Sequence, residues 1–228
     1  MLFSRNRIKK FFASKLDFHG ITIIGIILIA VIIRIVWMIY TNHTFEDAFI
    51  TFQYARRLSE GNGLVYNIGE KIYGTTTPLF TLILSGWILI FGDEHIVLGA
   101  RVITNLASFL SFIFLYKTFQ QLKFSHIHQY LILALLAFWP KFWKIDTGGM
   151  ETSIVIMLMS ASWFTSVKRK FTWTGVLLGL LLWLRVDTVL WVIILALSEF
   201  KSNFKFWQQK LTTTPILCFI IIFVFIQI

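Results

Sequence analysis

The sequence predicts an all-α protein, a polytopic transmembrane helix bundle with interfacial or re-entrant helices in its first outer loop. Hydrophobic residues make up 57% of the 228 residues and charged residues only 14%, whereas about 25% charged is typical of soluble domains. Several apolar runs approach the roughly 20 residues that a helix needs to cross a bilayer. The net charge is +10, and the basic residues lie mostly in short clusters between these runs. Such clusters are typical of topology determinants and argue against nucleic-acid binding.

The first apolar run, residues 21–40, is long enough to span the membrane. It is too long for the core of a secretory signal peptide, and no small-residue cleavage site follows it. Basic residues precede it, so we expect a retained anchor with a cytoplasmic N-terminus. They are Arg5, Arg7, Lys9, Lys10 and Lys15.

The run Pro78–Phe91 is too short to cross. As a helix, its 14 residues would extend about 21 Å, against roughly 30 Å of hydrocarbon. Thr77 stands in the N-cap position, with Pro78 at the first helical position. If this run crossed, the basic cluster at 168–170 would lie outside, against the positive-inside rule. We therefore expect a re-entrant or interfacial helix and an outer region covering residues 41–95.

The remaining apolar runs predict a bundle. Residues 96–119, 127–145 and Thr152–Val167 can each cross. Residues 172–197 are interrupted by Arg185-Val186-Asp187, which we expect to be the tip of a hairpin between two half-length helices. The run 215–228 stops at the end of the chain. We therefore expect residues 1–228 to form one transmembrane domain, the N-terminal part of a longer module that is truncated at its C-terminus.

The first acidic motif follows the first span and reads Phe45-Glu46-Asp47-Ala48-Phe49-Ile50-Thr51. It places adjacent carboxylates just beyond the outer end of the span, where a membrane enzyme would keep a general base. Two further strings follow, Gly61-Asn62-Gly63-Leu64-Val65-Tyr66-Asn67 and Tyr73-Gly74-Thr75-Thr76-Thr77-Pro78. As an alternative, the two carboxylates only complement the dipole of a helix N-terminus.

Helical periodicity distinguishes the two carboxylates. On a helix that starts near Glu46, residues Asp47, Thr51 and Tyr54 share one face. The opposite face is aromatic with one arginine, which suits a helix lying in the membrane interface. We therefore expect Asp47 to point toward the protein, and this favours Asp47 over Glu46 as the base. The aromatic face consists of Phe45, Phe49, Phe52 and Arg56.

The second acidic motif reads Asp146-Thr147-Gly148-Gly149-Met150-Glu151-Thr152 and lies between two predicted spans. Paired glycines before a helix expose backbone N–H groups that can bind a phosphate. A plain helix cap is the alternative, because an acidic residue in the first turn suits any helix.

Three arginines interrupt apolar runs, where a charge is costly and usually has a purpose. Arg34 and Arg101 are expected at similar depths below the outer surface, and Arg185 joins them if the hairpin forms. A guanidinium fork suits a lipid phosphate through two parallel hydrogen bonds. The alternative is structural ion pairing, for instance with Asp187.

The sequence gives little support for a metal site, because the five histidines show no convincing ligand spacing. Asp47 and Glu151 nevertheless leave a divalent cation open as a cofactor. Nothing resembles a Walker loop or a Rossmann glycine motif, which argues against direct use of ATP or a nucleotide sugar.

The order of these motifs resembles the first outer loop of the GT-C glycosyltransferases, among them protein mannosyltransferases and arabinofuranosyltransferase-like enzymes. That loop reads Asp-Asp-Ala-Tyr/Phe-Ile-Thr, then Arg-Tyr-Ala, then Gly-x-Gly-x-Val-Tyr-Asn. Here Glu46 replaces the first Asp and Gln53 the Arg. The string Gly149-Met150-Glu151-Thr152 resembles the second acidic motif of the same enzymes.

The resemblance implies a multi-pass cell-membrane enzyme with an extracytoplasmic active side. Such an enzyme transfers a hexose or pentose, with inversion, from a polyprenyl-phosphate donor to a hydroxyl of a glycan, lipid or protein. The rival interpretation is a non-catalytic polyprenyl-phosphate-binding protein, a transporter or a truncated inactive relative. The implied roles are catalysis by Asp47 and Glu46; donor-phosphate binding by Arg34, Arg101, Arg185, Gly148 and Gly149; the second acidic motif, Asp146 and Glu151; and support by Thr51, Tyr54, Asn67 and Asp187.

Overall fold

The computed structural model describes the backbone of residues 18–69 and 74–202, and side chains as far as residue 198 in the last helix. This part of the chain is all helical, with connecting turns and no β-strand. The basic N-terminal cluster and the predicted helix 215–228 lie outside the described residues. The helices are α1 (Phe18–Thr41), α2 (Glu46–Ser59), α3 (Pro78–Phe91), α4 (Ile96–Gln121), α5 (His126–Phe138), α6 (Pro140–Thr147), α7 (Thr152–Val167), α8 (Phe171–Leu184) and α9 (Val189–Ser202).

Among residues 18–69 and 74–202, two helices, α1 and α4, are long and apolar enough to cross a membrane. In α4 the candidate span includes the short 3₁₀ turn Asp93–His95 that precedes it. The pair α6 and α7 counts as a third if the two helices, bent by 107°, form one broken span. The membrane character and the predicted spans 21–40 and 96–119 are therefore confirmed at the level of length and composition.

Helix α3 has the predicted bounds. It begins at Pro78 after Thr77 in the N-cap position and ends before Gly92. Its 14 residues leave it among the shorter apolar helices that do not reach spanning length. The terminal residues Leu89, Ile90 and Phe91 are exposed, as expected of an apolar helix whose end meets lipid.

The predicted continuous span 127–145 is wrong. The chain forms two helices, α5 and α6, separated at Trp139, which has extended backbone angles of φ −74° and ψ 117°. The physical reason is Pro140, because the ring of a proline disfavours helical geometry in the residue before it. Proline is also well suited to the first position of the helix that follows.

The predicted break at Arg185 is confirmed. Helix α8 ends at Leu184, Arg185 is extended at φ −155° and ψ 123°, and a 3₁₀ turn, Val186–Thr188, leads into α9. The hydroxyl of Thr188 donates to the carbonyl oxygen of Arg185 at 2.6 Å. This hydrogen bond satisfies a backbone acceptor that the end of the helix leaves free.

The bundle is built around α4 and α7, and α7 also packs on α8. Many hydroxyls lie in these contacts and donate to a carbonyl one turn back, as Ser111 does to Ala107 at 2.9 Å and Ser160 to Ile156 at 2.7 Å. Small side chains of this kind let transmembrane helices come close together. On the other side of α4, α1 packs against α5 and α6, so the loops before α2 and after α6 lie next to each other.

Single-cysteine labelling tests the predicted topology, in a chain with Cys218 replaced by serine. We expect cysteines at Asn67 and Asp93 to react with a membrane-impermeant reagent added outside intact cells. Cysteines at Lys123 and Arg169 should react only after permeabilisation, because the positive-inside rule places them in the cytoplasm. All four side chains are exposed, so access depends on sidedness. Labelling of Asp93 only from the cytoplasm would contradict the re-entrant placement of α3.

Candidate functional site

The two acidic motifs, far apart in the sequence, meet in the structure. The second motif forms a turn at residues 148–151, the Gly-Gly turn, between α6 and α7. The backbone N–H of Phe45, just before α2, donates to the carbonyl oxygen of Gly148 at 3.0 Å. On the next residue, a methyl group placed on Gly149 would lie 3.7 Å from the Cβ of Ala48. The start of α2, which carries Glu46 and Asp47, is thereby fixed on the Gly-Gly turn.

Close packing explains Gly148, and backbone conformation explains Gly149. A side chain at Gly148 would collide with the ring of Phe45 and would lie 2.8 Å from the carbonyl oxygen of Lys144. Gly149 has φ +82°, a left-handed conformation that glycine adopts without steric cost. Phosphate binding by the N–H groups of Gly148 and Gly149 stays a prediction.

The predicted orientation of α2 is wrong for Asp47, Phe45 and Phe52. Asp47 was expected to point toward the protein but is exposed, and Phe45, expected at the interface, packs on Gly148 and the core. Phe52 was expected to face the membrane interface, but it is 0% exposed and belongs to the same buried cluster as Phe80 and Leu84 of α3. Ala48 and Ala55 are buried beside it. These residues follow the i, i+4, i+7 spacing of one helix face, and small alanines around a phenylalanine let α2 pack closely. Phe49 is half-exposed, and its contact with lipid stays a prediction.

The Asp47 face of α2 contacts the segment 74–77. The Tyr54 side chain is buried. Its hydroxyl would be only 2.5 Å from a Cβ atom placed on Gly74, so only glycine fits there without a shift. One turn earlier, the Thr51 hydroxyl is 3.4 Å from that of Thr77. Asp47 lies one further turn toward the start of the helix.

Both Asp47 and Glu46 are exposed. Neither carboxylate has a hydrogen bond or an ion pair with any side chain or backbone group in residues 18–69 and 74–198. An exposed carboxylate without a partner keeps its acceptor capacity for a ligand.

Arg34 and Asp146 form a buried ion pair, with Nε 2.6 Å from Oδ2 and both side chains 3% exposed. The hydroxyls of Ser108 and Ser153 donate to the same carboxylate at 2.7 Å each. These four residues belong to α1, α6, α4 and α7, so the cluster joins four helices. The geometry of Arg34 corresponds to the alternative of structural ion pairing, with Asp146 as its partner. Sequence reasoning did not single out the two serines, whose only signal is a hydroxyl inside an apolar run.

Arg101 holds the link between α1 and α2. Its Nη1 donates to the side-chain oxygen of Asn42 at 2.6 Å. Its Nη2 donates to the carbonyl oxygens of Asn42 and His43, at 2.8 and 3.0 Å. The same Nη2 also donates to the Thr44 hydroxyl at 2.8 Å. Its Nε is buried and has no partner within the described part of the chain. Arg101 therefore positions the start of α2 from the side of α4, as the Gly-Gly turn does from the side of α7.

Arg185 joins two carboxylates. Its Nη1 donates to Glu151 at 2.9 Å, and its Nε and Nη2 donate to the two oxygens of Asp187 at 3.1 and 2.8 Å. The Glu151 side chain is 4% exposed, whereas that of Asp187 is 64% exposed. Glu151 is the last residue of the Gly-Gly turn, so this ion-pair cluster lies close to Gly148, which accepts the hydrogen bond of Phe45.

A cleft of about 440 Å³ opens between α7 and α9 beside this cluster. Its polar end consists of Arg185, Asp187, Thr152 and Thr188. The rest of its lining is apolar and follows the two helices away from the cluster. The apolar lining residues are Val155, Met159, Leu190, Trp191 and Ile194.

The other candidate residues do not join this site. Asn67 is exposed in the loop that follows α2. Across residues 18–69 and 74–202, no three His, Cys, Asp or Glu side chains come together in a way that could hold a metal ion.

Comparison of the chain with protein-family models, with curated proteins and with solved structures gives no match. The resemblance of its motifs to GT-C glycosyltransferases stays a prediction from sequence.

Proposed function

We propose that this protein is a membrane glycosyltransferase that transfers a sugar from a polyprenyl-phosphate donor to an acceptor hydroxyl outside the cytoplasm, with inversion. One observation carries the proposal. The carboxylate of Asp47, which has no partner among the described residues, lies at the start of a helix that is fixed on the Gly-Gly turn, and the same turn ends at Glu151, which pairs with Arg185. A candidate base and a candidate phosphate ligand are thus held by one structural element.

In the proposed reaction, Asp47 accepts the proton of the acceptor hydroxyl. The acceptor oxygen forms a bond to the anomeric carbon of the sugar while the bond from that carbon to the phosphate oxygen breaks. The electron pair of the broken bond leaves with the lipid phosphate, and attack from the opposite face inverts the configuration. General-base assistance of this kind typically contributes about 10²- to 10⁴-fold in rate.

The cleft between α7 and α9 suits the donor lipid. A polyprenyl phosphate has one charged end and a long apolar chain, and the cleft has Arg185 at one end and apolar side chains along its length. Guanidinium donors would stabilise the negative charge that develops on the departing phosphate. In this proposal Arg185 is the donor-binding arginine, whereas Arg34 and Arg101 hold the helices that present the site.

The same cleft also favours a second candidate function, a polyprenyl-phosphate-binding protein without catalysis. Such a protein would need Arg185 and the apolar walls but would not need a carboxylate at position 47. The two functions therefore differ in their dependence on Asp47.

Donor binding tests the part that both candidates share. We expect Arg185→Leu to weaken the binding of farnesyl phosphate to the purified protein about a hundredfold. Losing one partner of a close charge pair typically costs about 2–5 kcal/mol, and each step of about 1.4 kcal/mol changes the affinity tenfold. Arg185→Lys should cost about tenfold, since lysine keeps the charge but loses the fork. Isothermal titration calorimetry measures both affinities.

Two controls accompany this experiment. Arg56→Leu removes an arginine that pairs with Asp93 on the surface at 2.5 Å and should leave affinity unchanged. The double variant Arg185→Leu, Glu151→Gln removes the buried charge that Arg185→Leu leaves behind, so a fold defect in the single variant can be recognised. Equal affinity in wild type and both Arg185 variants would contradict the proposal.

A further inference from the structure

We infer that Asp187 occupies the place of the donor phosphate on Arg185 and is displaced when the donor binds. This inference rests on the proposed donor site. It assigns Asp187 as a specificity-determining residue that only a ligand with a competing pair of anionic oxygens can move.

The hydrogen-bond geometry of Arg185 carries the inference. Its Nε and Nη2 edge donates to both oxygens of the Asp187 carboxylate at 3.1 and 2.8 Å. This parallel two-bond arrangement is also the one through which a guanidinium binds two oxygens of a phosphate. The other partner, Glu151, accepts a hydrogen bond from Nη1 at 2.9 Å. The guanidinium edge that would bind phosphate is therefore already oriented, and the carboxylate of Asp187 occupies it.

The two carboxylates differ in how readily they leave. Glu151 is buried, and breaking its pair would leave an uncompensated charge away from water, which is strongly unfavourable. Asp187 is 64% exposed, and the loss of an exposed pair costs little because the free carboxylate becomes hydrated. Glu151 thus holds the guanidinium in place, and Asp187 is the partner that a ligand displaces.

The net charge of Arg185, Glu151 and Asp187 determines which ligands can bind to the guanidinium. Two carboxylates oppose one guanidinium, so an incoming phosphate meets a net negative group until Asp187 withdraws. A neutral polyprenol has a single hydroxyl oxygen, which cannot replace the two carboxylate oxygens, and it leaves the pair intact. A polyprenyl phosphate supplies the two oxygens, and burial of its chain along the apolar walls of the cleft offsets the loss of the Asp187 pair.

Asp187→Asn in the full chain tests this. Asparagine is neutral and keeps the size of aspartate, so it removes both the competing carboxylate and its repulsion of the phosphate. We expect farnesyl phosphate to bind the variant about fivefold more tightly than wild type by isothermal titration calorimetry, the order of magnitude of one exposed ion pair. Farnesol binding should not change. The matched control is Asp93→Asn, which removes an exposed carboxylate paired with Arg56 and should leave both affinities unchanged.

The outcomes separate this inference from the proposed function. If wild type binds farnesyl phosphate and Asp187→Asn binds it equally or more weakly, Asp187 is a ligand or a structural residue and the inference is overturned while the donor site stands. If neither protein binds farnesyl phosphate, the proposed donor site fails and the inference fails with it. Inorganic phosphate that binds wild type as tightly as farnesyl phosphate does would overturn the assignment of the ligand as a lipid. Tighter binding of farnesyl phosphate to Asp187→Asn, with farnesol binding unchanged and inorganic phosphate bound far more weakly than farnesyl phosphate, supports the whole inference.

Discussion

Replacing Asp47 with asparagine is expected to abolish sugar transfer while leaving the fold and donor binding largely intact. The carboxylate is exposed and makes no hydrogen bond or ion pair with the rest of the described chain, so its removal breaks no structural contact. Asparagine nearly matches aspartate in shape but cannot accept the proton of the acceptor. We expect a rate loss of about 10²- to 10⁴-fold, the usual contribution of a general base. The measurement is transfer of labelled sugar from a synthetic polyprenyl-phosphate donor in membranes containing the protein.

Glu46→Gln is the matched comparison, because it removes a neighbouring exposed carboxylate from the same helix. Asp47 shares its face with Thr51 and Tyr54, which contact the segment 74–77, whereas Glu46 lies outside this face by helical periodicity. Glu46→Gln should therefore cost much less than Asp47→Asn. An inactive Glu46→Gln beside an active Asp47→Asn would reverse the assignment. Full activity of both variants, with donor binding intact, would favour the non-catalytic lipid-binding protein.

Replacing Asp146 with leucine is expected to have the largest effect on stability. It leaves Arg34 buried without its carboxylate and removes the acceptor of the Ser108 and Ser153 hydroxyls. Breaking a buried pair on one side typically costs about 3–5 kcal/mol. We expect a corresponding fall in the free energy of unfolding, measured by denaturant titration in mixed micelles with circular dichroism.

Two further variants identify the cause of this loss. The double variant Arg34→Met, Asp146→Leu removes both charges and should recover most of the stability, since an apolar pair can replace a buried ion pair with little cost. Glu60→Gln breaks the exposed Arg57–Glu60 pair. This variant should lower the free energy of unfolding by about 1 kcal/mol or less. If Asp146→Leu cost no more than Glu60→Gln, the Arg34–Asp146 pair would not be what joins the four helices.

The sequence alone determined the helical class, the membrane character and most helix limits. Residues 21–40 and 96–119 were recognised by apolar length, and Pro78–Phe91 by its length and its proline at the start. The break at Arg185 followed from a charge pair inside an apolar run. The break before Pro140 was missed, although its signal is local, because the surrounding run is apolar on both sides. The features that were recognised depend on residues close together in the chain, which is why a single sequence reveals them.

The tertiary structure decided which charged groups from distant parts of the chain meet. The sequence suggested a pair with Asp187, which Arg185 forms, but it did not reveal that Arg34 pairs with Asp146 or that Arg185 also pairs with Glu151. Phe52 was placed toward lipid from periodicity, which finds the faces of a helix but not the face that its neighbours cover. The contact between Phe45 and the Gly-Gly turn depends likewise on how α4 and α7 pack. The rotation and packing of distant helices set these pairings, because a buried charge is stable only where a partner from another helix reaches it.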